Sequence, residues 1–348
     1  MTKSKCHLRH KFVGLLGAMC AFSFIALHLP PLSGNKRMKL ENTLMQFMPS
    51  EDGRRHLRLW LFNDPKTVKR KRIVTGTTTE EMPKLQLALP NILFIGAQKA
   101  GSTSVSTWLF RGGVCRAEIF ADEPIYFGKE VHFFDKKARY DRGVEFYARR
   151  FQHCLVSGNT EFIMDATPDY LTYPTRIAEV YANAGPEALS KLKLMVILRE
   201  PISRELSLYN HMIFYGHEGL TFEQHAVSIR KGKGNPHWVS TGKYVNHLKK
   251  FASFLSREQI LVLSYDEVRT DPKKAQWRIQ QFLGGEFPGE LETLNTHENP
   301  NKLRVVSPKA RKVLGRMFEK KNEELYEFLE TNPGPWMEQR PFPRFYLE

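Results

Sequence analysis

The sequence predicts an α/β domain built as a three-layer sandwich around a central, mainly parallel sheet. Three short, largely apolar runs, at residues 91–95, 193–198 and 259–264, indicate strands of this sheet, because a continuous apolar run is typical of a strand buried on both faces. Each run is followed by a stretch with helical composition, and this alternation favours parallel pairing. Ligands of such sheets bind at the carboxyl ends of the strands.

The first strand leads into a glycine-bearing loop, Gly96-Ala-Gln-Lys-Ala-Gly-Ser-Thr103, and residues 103–110 then have helical composition. The N–H groups and the dipole of a helix N-terminus make such a turn an anion site. The spacing is close to the triphosphate loop G-x-x-x-x-G-K-[ST], but Ser102 takes the lysine position and the lysine lies inside the loop, at Lys99. The loop is therefore P-loop-like and suits a shorter anion. A Rossmann-like turn without a ligand is the alternative.

A second anion-binding element follows the strand at 193–198. Arg199 stands at the carboxyl end of this strand, and Ser207 lies about two helical turns further on. A guanidinium together with a hydroxyl suits a phosphate monoester. A lone arginine at a strand end more often forms a surface ion pair, but its occurrence with the first loop favours a nucleotide site.

Together these motifs resemble those of the PAPS-dependent carbohydrate sulfotransferases, and among them the heparan sulfate 3-O- and N-sulfotransferases, over about residues 90–330. PAPS is 3′-phosphoadenosine 5′-phosphosulfate. The 3′-phosphate motif of this family, R-[DE]-P-x-x-R-x-x-S, fits Arg199, Glu200, Pro201, Arg204 and Ser207 position for position. The resemblance implies PAPS as co-substrate, no metal, and a carbohydrate acceptor such as a glycosaminoglycan-like polysaccharide.

The resemblance also assigns cofactor-binding residues. Arg199 and Ser207 are expected to hold the 3′-phosphate, and Lys302 and Arg304 stand in place of a basic C-terminal loop. The 5′-phosphosulfate is expected to contact the loop residues Lys99, Ala100, Gly101, Ser102, Thr103 and Ser104.

The candidate catalytic residues are Glu130, Lys99, His132 and Asp165. Glu130 and His132 alternate with apolar neighbours, which predicts the end of a strand entering a cleft. In the resembled 3-O-sulfotransferases the glutamate of E-V-H-F-F is the proposed base, which implies Glu130, while a partly buried structural Glu–His pair is the alternative. Asp165 is either a second carboxylate near the acceptor hydroxyl or the residue that opens a turn before Thr-Pro. Ala166 replaces a lysine that the resembled enzymes carry.

The N-terminal part predicts a membrane anchor and a stem. Residues 12–29 carry no formal charge and are just long enough to span a bilayer, after a basic tail at 1–11. A cleaved signal peptide is the alternative. Residues 30–89 form the stem and 90–348 the sulfotransferase domain. We expect a single-pass type II protein of the Golgi membrane with a lumenal catalytic domain, its orientation resting partly on the resemblance.

The charge does not indicate a nucleic-acid partner. Residues 1–90 hold 16 of the 52 Lys and Arg and 6 of the 37 Asp and Glu, so most of the net charge of +15 lies outside the predicted catalytic domain.

Cys115 and Cys154 would face an oxidising lumen and can pair there. Two other functions stay open on the sequence: a non-catalytic glycan- or nucleotide-binding protein with the same fold, which Ala166 favours, and a P-loop kinase, which the missing loop lysine disfavours.

Overall fold

A computed structural model describes residues 87–120, 128–158, 161–215, 219–233, 236–292, 303, 305–332, 334 and 342–345. The predicted tail, the membrane segment and the stem up to residue 86 lie outside these residues, and so do Lys302 and Arg304. Within the described ranges, no helix combines the length and the apolar character needed to cross a membrane.

The centre of the domain is a five-stranded sheet in which every neighbouring pair is parallel, in the order β2-β3-β1-β4-β5. The strands are β1 (Ile92–Gly96), β2 (Cys115–Arg116), β3 (Ile163–Asp165), β4 (Lys193–Leu198) and β5 (Ile260–Ser264). All residues of β1 and β5, and all but the first of β4, are buried, which explains why these strands read as apolar runs rather than as alternating patterns. The predicted α/β fold is confirmed.

The strand order creates one switch point in the sheet. From β1 the chain passes to β2 and β3 on one side, and it then crosses over so that β4 pairs with the other side of β1, with Ile92 opposite Lys193. Ligands of open parallel sheets bind at such a point, outside the carboxyl ends of the strands. The two predicted anion-binding elements follow β1 and β4, and thus lie at this edge together.

Helices surround the sheet. In chain order they are α1 (Ser102–Arg111), α2 (Lys137–Tyr140), α3 (Val144–Ala148), α4 (Gln152–Val156), α5 (Pro174–Ala184), α6 (Pro186–Lys191), α7 (Pro201–Phe214), α8 (Phe222–Arg230), α9 (Pro236–Gly242), α10 (Tyr244–Phe251), α11 (Tyr265–Thr270), α12 (Pro272–Leu283) and α13 (Pro308–Thr331). Short 3-10 turns cover Arg149–Phe151, Pro168–Thr172 and Arg257–Gln259.

One predicted helix is two helices in the structure. The sequence after β5 predicts continuous helix towards Leu283, but α11 ends at Thr270 and α12 begins at Pro272. A proline has no N–H for the ladder and is tolerated only in the first helical turn, so it restarts the helix here. The Asp271 carboxylate caps α12 by accepting a hydrogen bond of 3.2 Å from the Lys274 N–H.

Gly96 allows two segments of the site edge to pack closely. A Cβ atom at this position would lie 2.5 Å from the carbonyl oxygen of Pro168, which leaves no space for any side chain. The turn at Pro168–Thr172 therefore rests directly on the end of β1, and the residues after β3 are fixed next to the glycine-bearing loop.

A disulfide joins Cys115 of β2 to Cys154 of α4, as the cysteine usage predicts. The bond links the edge strand of the sheet covalently to a short helix 39 residues further along the chain.

We predict that the double substitution Cys115→Ser and Cys154→Ser lowers the free energy of unfolding. The two cysteines are 39 residues apart. Closing a loop of that length removes chain entropy from the unfolded state worth about 4 kcal/mol. Urea denaturation of the oxidised protein and of the double variant measures the difference. A reductant should destabilise the wild type by a similar amount and leave the double variant unchanged, and equal stabilities of the two oxidised proteins would contradict the prediction.

Candidate functional site

The glycine-bearing loop ends at the N-terminus of α1. Lys99 and Gly101 both have positive φ, 67° and 85°, and α1 begins at Ser102. Within the described chain no side chain caps this helix, and its first turn contains no acidic residue. The helix therefore presents N–H groups and a positive dipole end to an anion. Ala100, Ser102 and Ser104 are buried and Thr103 is partly exposed, so the loop is a fixed part of the core edge.

Arg199 connects this loop to the end of β4. Its Nη1 donates a 3.0 Å hydrogen bond to the carbonyl oxygen of Lys99, and its guanidinium lies 4.4 Å from the centre of the Tyr265 ring. Its own carbonyl accepts a 2.7 Å hydrogen bond from the Tyr244 hydroxyl. Stacking and backbone bonding hold the guanidinium in place, and a guanidinium has five N–H donors for further contacts. The structure thus brings the two predicted anion-binding elements together.

Helix α7 supplies the rest of the second motif. Glu200 caps the helix by accepting hydrogen bonds from the Ile202 and Ser203 N–H groups at 2.9 and 2.6 Å. Arg204 is fully buried, where it pairs with Glu205 and donates a 2.8 Å hydrogen bond to the Trp238 carbonyl. Ser207 is partly exposed, one turn further along the helix. Two of the motif's residues therefore build the helix, and Ser207 remains a candidate for contact with a ligand.

His211 is a residue of this site that sequence reasoning missed. The Lys99 Nζ lies 3.2 Å from the His211 Nδ1, across 112 positions of sequence. An ammonium only donates, so Nδ1 is the acceptor and the imidazole carries its proton on Nε2. Because side chains four residues apart share a helix face, Ser207 and His211 project from the same side of α7. That spacing is the one sequence signal that points to His211.

Glu130 and His132 form part of a chain of alternating charges. The Lys129 Nζ lies 2.5 Å from the Glu130 Oε1, and the other carboxylate oxygen, Oε2, lies 3.4 Å from the His132 Nε2. The opposite ring nitrogen, Nδ1, lies 2.8 Å from Asp135 Oδ2, and the exposed Lys136 ends the series at 3.4 Å from the same oxygen. The imidazole is thus held between two carboxylates.

This arrangement shifts the pKa values in opposite directions. Burial alone would raise the pKa of Glu130, but the hydrogen bonds and charges of His132 and Lys129 outweigh it and lower the pKa to about 2. Burial would lower the pKa of His132, but hydrogen bonds and charges from Asp135 and Glu130 raise it to about 9. Burial would raise the pKa of Asp135, but the hydrogen bond to His132 and the charges of His132 and Lys136 together lower it. At neutral pH all three groups are therefore ionised.

The segment that carries these residues is not the end of a strand, so that prediction is wrong. His132 has a φ of 54°, which lies outside the range of strands, and the alternation with buried neighbours ends at Phe134, which is buried directly after Phe133. Side chains from another segment satisfy its backbone instead: Thr167 Oγ1 accepts from the His132 N–H at 3.3 Å, and the Tyr170 hydroxyl from the Phe133 N–H at 2.8 Å. An irregular backbone bonded in this way has no periodic sequence signal.

Asp165 holds this segment in place through buried hydrogen bonds. It is fully buried, and its oxygens accept hydrogen bonds from Tyr147 Oη at 2.9 Å, Tyr170 Oη at 2.7 Å, Thr167 Oγ1 at 2.7 Å and the Val131 N–H at 3.4 Å. Burial raises the pKa of Asp165 to about 6, against the lowering effect of these donors. Both oxygens are thus engaged by protein groups. The geometry favours the interpretation in which Asp165 fixes a turn over that of a second carboxylate near an acceptor.

The side chain of Lys129 lies beside the backbone of Ala166, the residue that replaces the lysine of the resembled enzymes. The Lys129 Nζ lies 3.4 Å from the Ala166 carbonyl oxygen as well as against Glu130. The turn after β3 therefore has an ammonium group beside it, supplied from a neighbouring segment.

The comparisons with known proteins agree with this geometry. A family profile described as "Sulfotransferase domain" matches residues 89–330. The chain is 29% identical over 222 residues to human heparan sulfate glucosamine 3-O-sulfotransferase 3A1, which covers 60% of this chain and 50% of the relative. It is 27% identical over 287 residues to bifunctional heparan sulfate N-deacetylase/N-sulfotransferase 1 of Caenorhabditis briggsae, covering 72% of this chain and 32% of the relative. The aligned part thus amounts to half or less of these relatives.

The fold has a solved counterpart. The crystal structure of a sulfotransferase from Alicyclobacillus acidocaldarius superimposes with a TM-score of 0.53 at 23% identity, over 70% of this chain and 96% of that chain. This likeness supports the fold of the sheet and its surrounding helices.

We predict that His132 makes stability depend on pH. Its pKa is about 9 in the folded protein against 6.5 as the ordinary value, so its contribution is fully present below about pH 6.5 and is lost as pH rises through 9. Between pH 6.5 and 9.5 the wild type should lose about 3 kcal/mol more unfolding free energy than His132→Gln. Urea denaturation at both pH values measures this loss. His237→Gln, which removes a more exposed histidine, should behave like the wild type, and parallel losses in wild type and His132→Gln would refute the prediction.

Proposed function

The chain belongs to the sulfotransferase domain family and is a sulfotransferase, and from this premise we propose that it moves a sulfuryl group from PAPS to a hydroxyl or amine of a carbohydrate, in particular a glycosaminoglycan-like polysaccharide. The observation that carries the proposal is the 3.0 Å hydrogen bond from Arg199 to the Lys99 carbonyl, because it joins two anion-binding elements at one edge of the sheet. A donor with phosphate groups at two positions of a nucleoside needs two such elements.

The residues of this edge fit a doubly anionic nucleotide. The uncapped N-terminus of α1 and the ammonium of Lys99 suit the 5′-phosphosulfate, since both present positive charge and N–H donors to one point. Arg199 and Ser207 suit the 3′-phosphate, and the Arg199 guanidinium is held over the Tyr265 ring. Lys302 and Arg304 stay predicted contacts that lie outside the described residues. When bound, PAPS supplies the sulfuryl group, which passes to the acceptor oxygen or nitrogen while adenosine 3′,5′-bisphosphate leaves.

Glu130 is the proposed general base. A carboxylate with a pKa of about 2 does not deprotonate an ordinary hydroxyl. However, an acceptor oxygen that has begun to bond to sulfur becomes strongly acidic, and its proton then passes to an ionised carboxylate late in the transfer. The low pKa keeps Glu130 ionised and available as a proton acceptor at every physiological pH. His132, protonated and 3.4 Å away, orients the carboxylate and adds positive charge near the transferred group.

Two lysines complete the proposed electrostatics. The Lys99 ammonium donates to His211, and it stabilises charge on the bridging oxygen as the donor bond breaks. Lys129 supports the view that the missing lysine at Ala166 is replaced from another position, since its ammonium lies against both Glu130 and the Ala166 carbonyl. Loss of that lysine is then no argument against catalysis.

The acceptor class and the location rest on other support. Two of the relatives are named for heparan sulfate, which favours a polysaccharide acceptor for this chain. The disulfide between Cys115 and Cys154 is the type of bond that persists in oxidising compartments, and this supports a lumenal catalytic domain. We therefore propose a type II protein of the Golgi membrane, anchored through residues 12–29.

We predict that Arg199→Ala weakens binding of adenosine 3′,5′-bisphosphate at least tenfold. The substitution removes the bidentate donor for the 3′-phosphate and the link to the loop. Isothermal calorimetry should show micromolar, Mg²⁺-independent binding to the wild type. The control is Arg111→Ala, which removes the same charge from the exposed last turn of α1 and should leave the affinity unchanged. A folded wild type that does not bind the bisphosphate would refute the donor assignment, and Mg²⁺-dependent ATP binding would point to a kinase.

We predict that Glu130→Gln abolishes most sulfuryl transfer while it preserves donor binding. Glutamine keeps the size and one acceptor oxygen of glutamate but has almost no basicity. Transfer from labelled PAPS to heparan-type oligosaccharides should therefore fall at least a hundredfold, within the range attributed to a general base, with bisphosphate affinity within about twofold of wild type. Glu145→Gln, in the first turn of α3, serves as the matched control. A Glu130→Gln protein with full turnover would exclude Glu130 as the base.

A further inference from the structure

A cavity of about 270 Å³ lies directly beside the proposed transfer residues. Three of its lining residues adjoin them: Gln98 precedes Lys99, Met212 follows His211, and Asp135 binds His132. Ligand pockets for small molecules begin at about 300 Å³. At about 270 Å³ this cavity lies just below that range, so its size limits it to a single sugar ring rather than a longer stretch of polymer.

The cavity has two aromatic side chains in its wall, Tyr173 and Trp238. The Trp238 ring contacts the His225 ring, with centroids 4.2 Å apart, and the Trp238 carbonyl accepts the hydrogen bond from the buried Arg204. Both the side chain and the backbone of Trp238 are thus fixed. A fixed aromatic face beside polar groups is the kind of surface against which the C–H face of a pyranose packs.

Asp169 introduces a negative charge into this wall. Its side chain is 17% exposed, and the His237 Nε2 lies 4.0 Å from its Oδ1, which is beyond hydrogen-bond distance. Its carboxylate also lies within 4.8 Å of the functional atoms of His132 and Asp135. The Asp135 side chain is only 3% exposed and its Oδ2 is engaged by His132, so the more exposed Asp169 is the carboxylate that a ring in the cavity would meet.

We propose that this cavity holds the reacting ring of the acceptor, and that Asp169 selects an uncharged, hydroxyl-bearing pyranose against a ring that carries sulfate or carboxylate. The proposal rests on the proposed function. Ring hydroxyls donate to the Asp169 carboxylate in charge-assisted hydrogen bonds. A sulfate or carboxylate at the same place would be repelled by the negative charge of Asp169 in a partly desolvated wall. Selection then results both from attraction of the uncharged ring and from repulsion of the anionic one.

The test uses two matched oligosaccharides, an N-acetylheparosan hexasaccharide and the same hexasaccharide with 6-O-sulfated glucosamine rings. Their uronates are identical, so the two hexasaccharides differ only in the sulfate groups on the glucosamine rings. With PAPS as donor, kcat/KM of the wild type should be at least tenfold higher for the unsulfated hexasaccharide. Asp169→Asn should reduce this ratio at least fivefold by a gain on the sulfated one. Asp141→Asn, an exposed carboxylate paired with Lys137, should leave the ratio unchanged.

Binding in the presence of adenosine 3′,5′-bisphosphate separates the two proposals. If calorimetry shows the same preference for the unsulfated hexasaccharide, lost in Asp169→Asn, while no transfer occurs, the cavity assignment holds and the proposed function fails. Trp238→Ala should weaken binding of both hexasaccharides without changing their ratio. Equal or stronger binding of the sulfated hexasaccharide by the wild type, or an unchanged preference in Asp169→Asn, overturns the selection by Asp169.

Discussion

The site depends on one buried carboxylate. Asp165, at the end of β3, accepts hydrogen bonds from three hydroxyls and one backbone N–H, and these donors come from α3, from its own turn and from the segment that carries Glu130 and His132. If the carboxylate were absent, two fully buried tyrosine hydroxyls and an N–H group would lose their acceptor, at a cost of about 1–3 kcal/mol for each group left unsatisfied. Because Thr167 and Tyr170 also bind the backbone of His132 and Phe133, the same network fixes the left-handed turn at His132. Asp165 thereby fixes the position of the segment that carries Glu130 and His132.

The segment held by Asp165 carries a series of charges that alternate in sign, each in contact with the next: Lys129, Glu130, His132 and Asp135. Each ion is desolvated, and each is compensated by its neighbours, which is the condition under which buried charges are tolerated. The arrangement lowers the basicity of Glu130 and raises that of His132. A strong base is not what this site offers. In the proposed reaction, the ionised Glu130 accepts a proton that becomes acidic only as the new bond forms, next to the fixed positive charge of His132.

Much of the fold could be predicted from the sequence, because buried parallel strands such as β1, β4 and β5 leave continuous apolar runs, and prolines mark helix starts at Pro201 and Pro308. The proposed donor side of the site, which is the loop after β1 and Arg199 at the end of β4, was also predictable, because both are local features of the sequence. The segment around His132 was not, because its backbone partners lie 35 and 37 positions away, in the turn after β3. The contact of Lys99 with His211 spans 112 positions, and no local pattern encodes it.

The two sides of the site are therefore formed by different kinds of groups. The donor side consists of backbone N–H groups, a strand-end arginine and a helix N-terminus, so it follows from the fold itself and tolerates few other residues. The cavity wall combines side chains from separate turns and helices, with Asp169 and Tyr173 after β3, Met212 on α7 and Trp238 on α9. Each of these can change without disturbing the sheet or the donor loop. In the proposed function, acceptor choice therefore depends on a few exchangeable side chains such as Asp169, while donor binding depends on the architecture of β1 and β4.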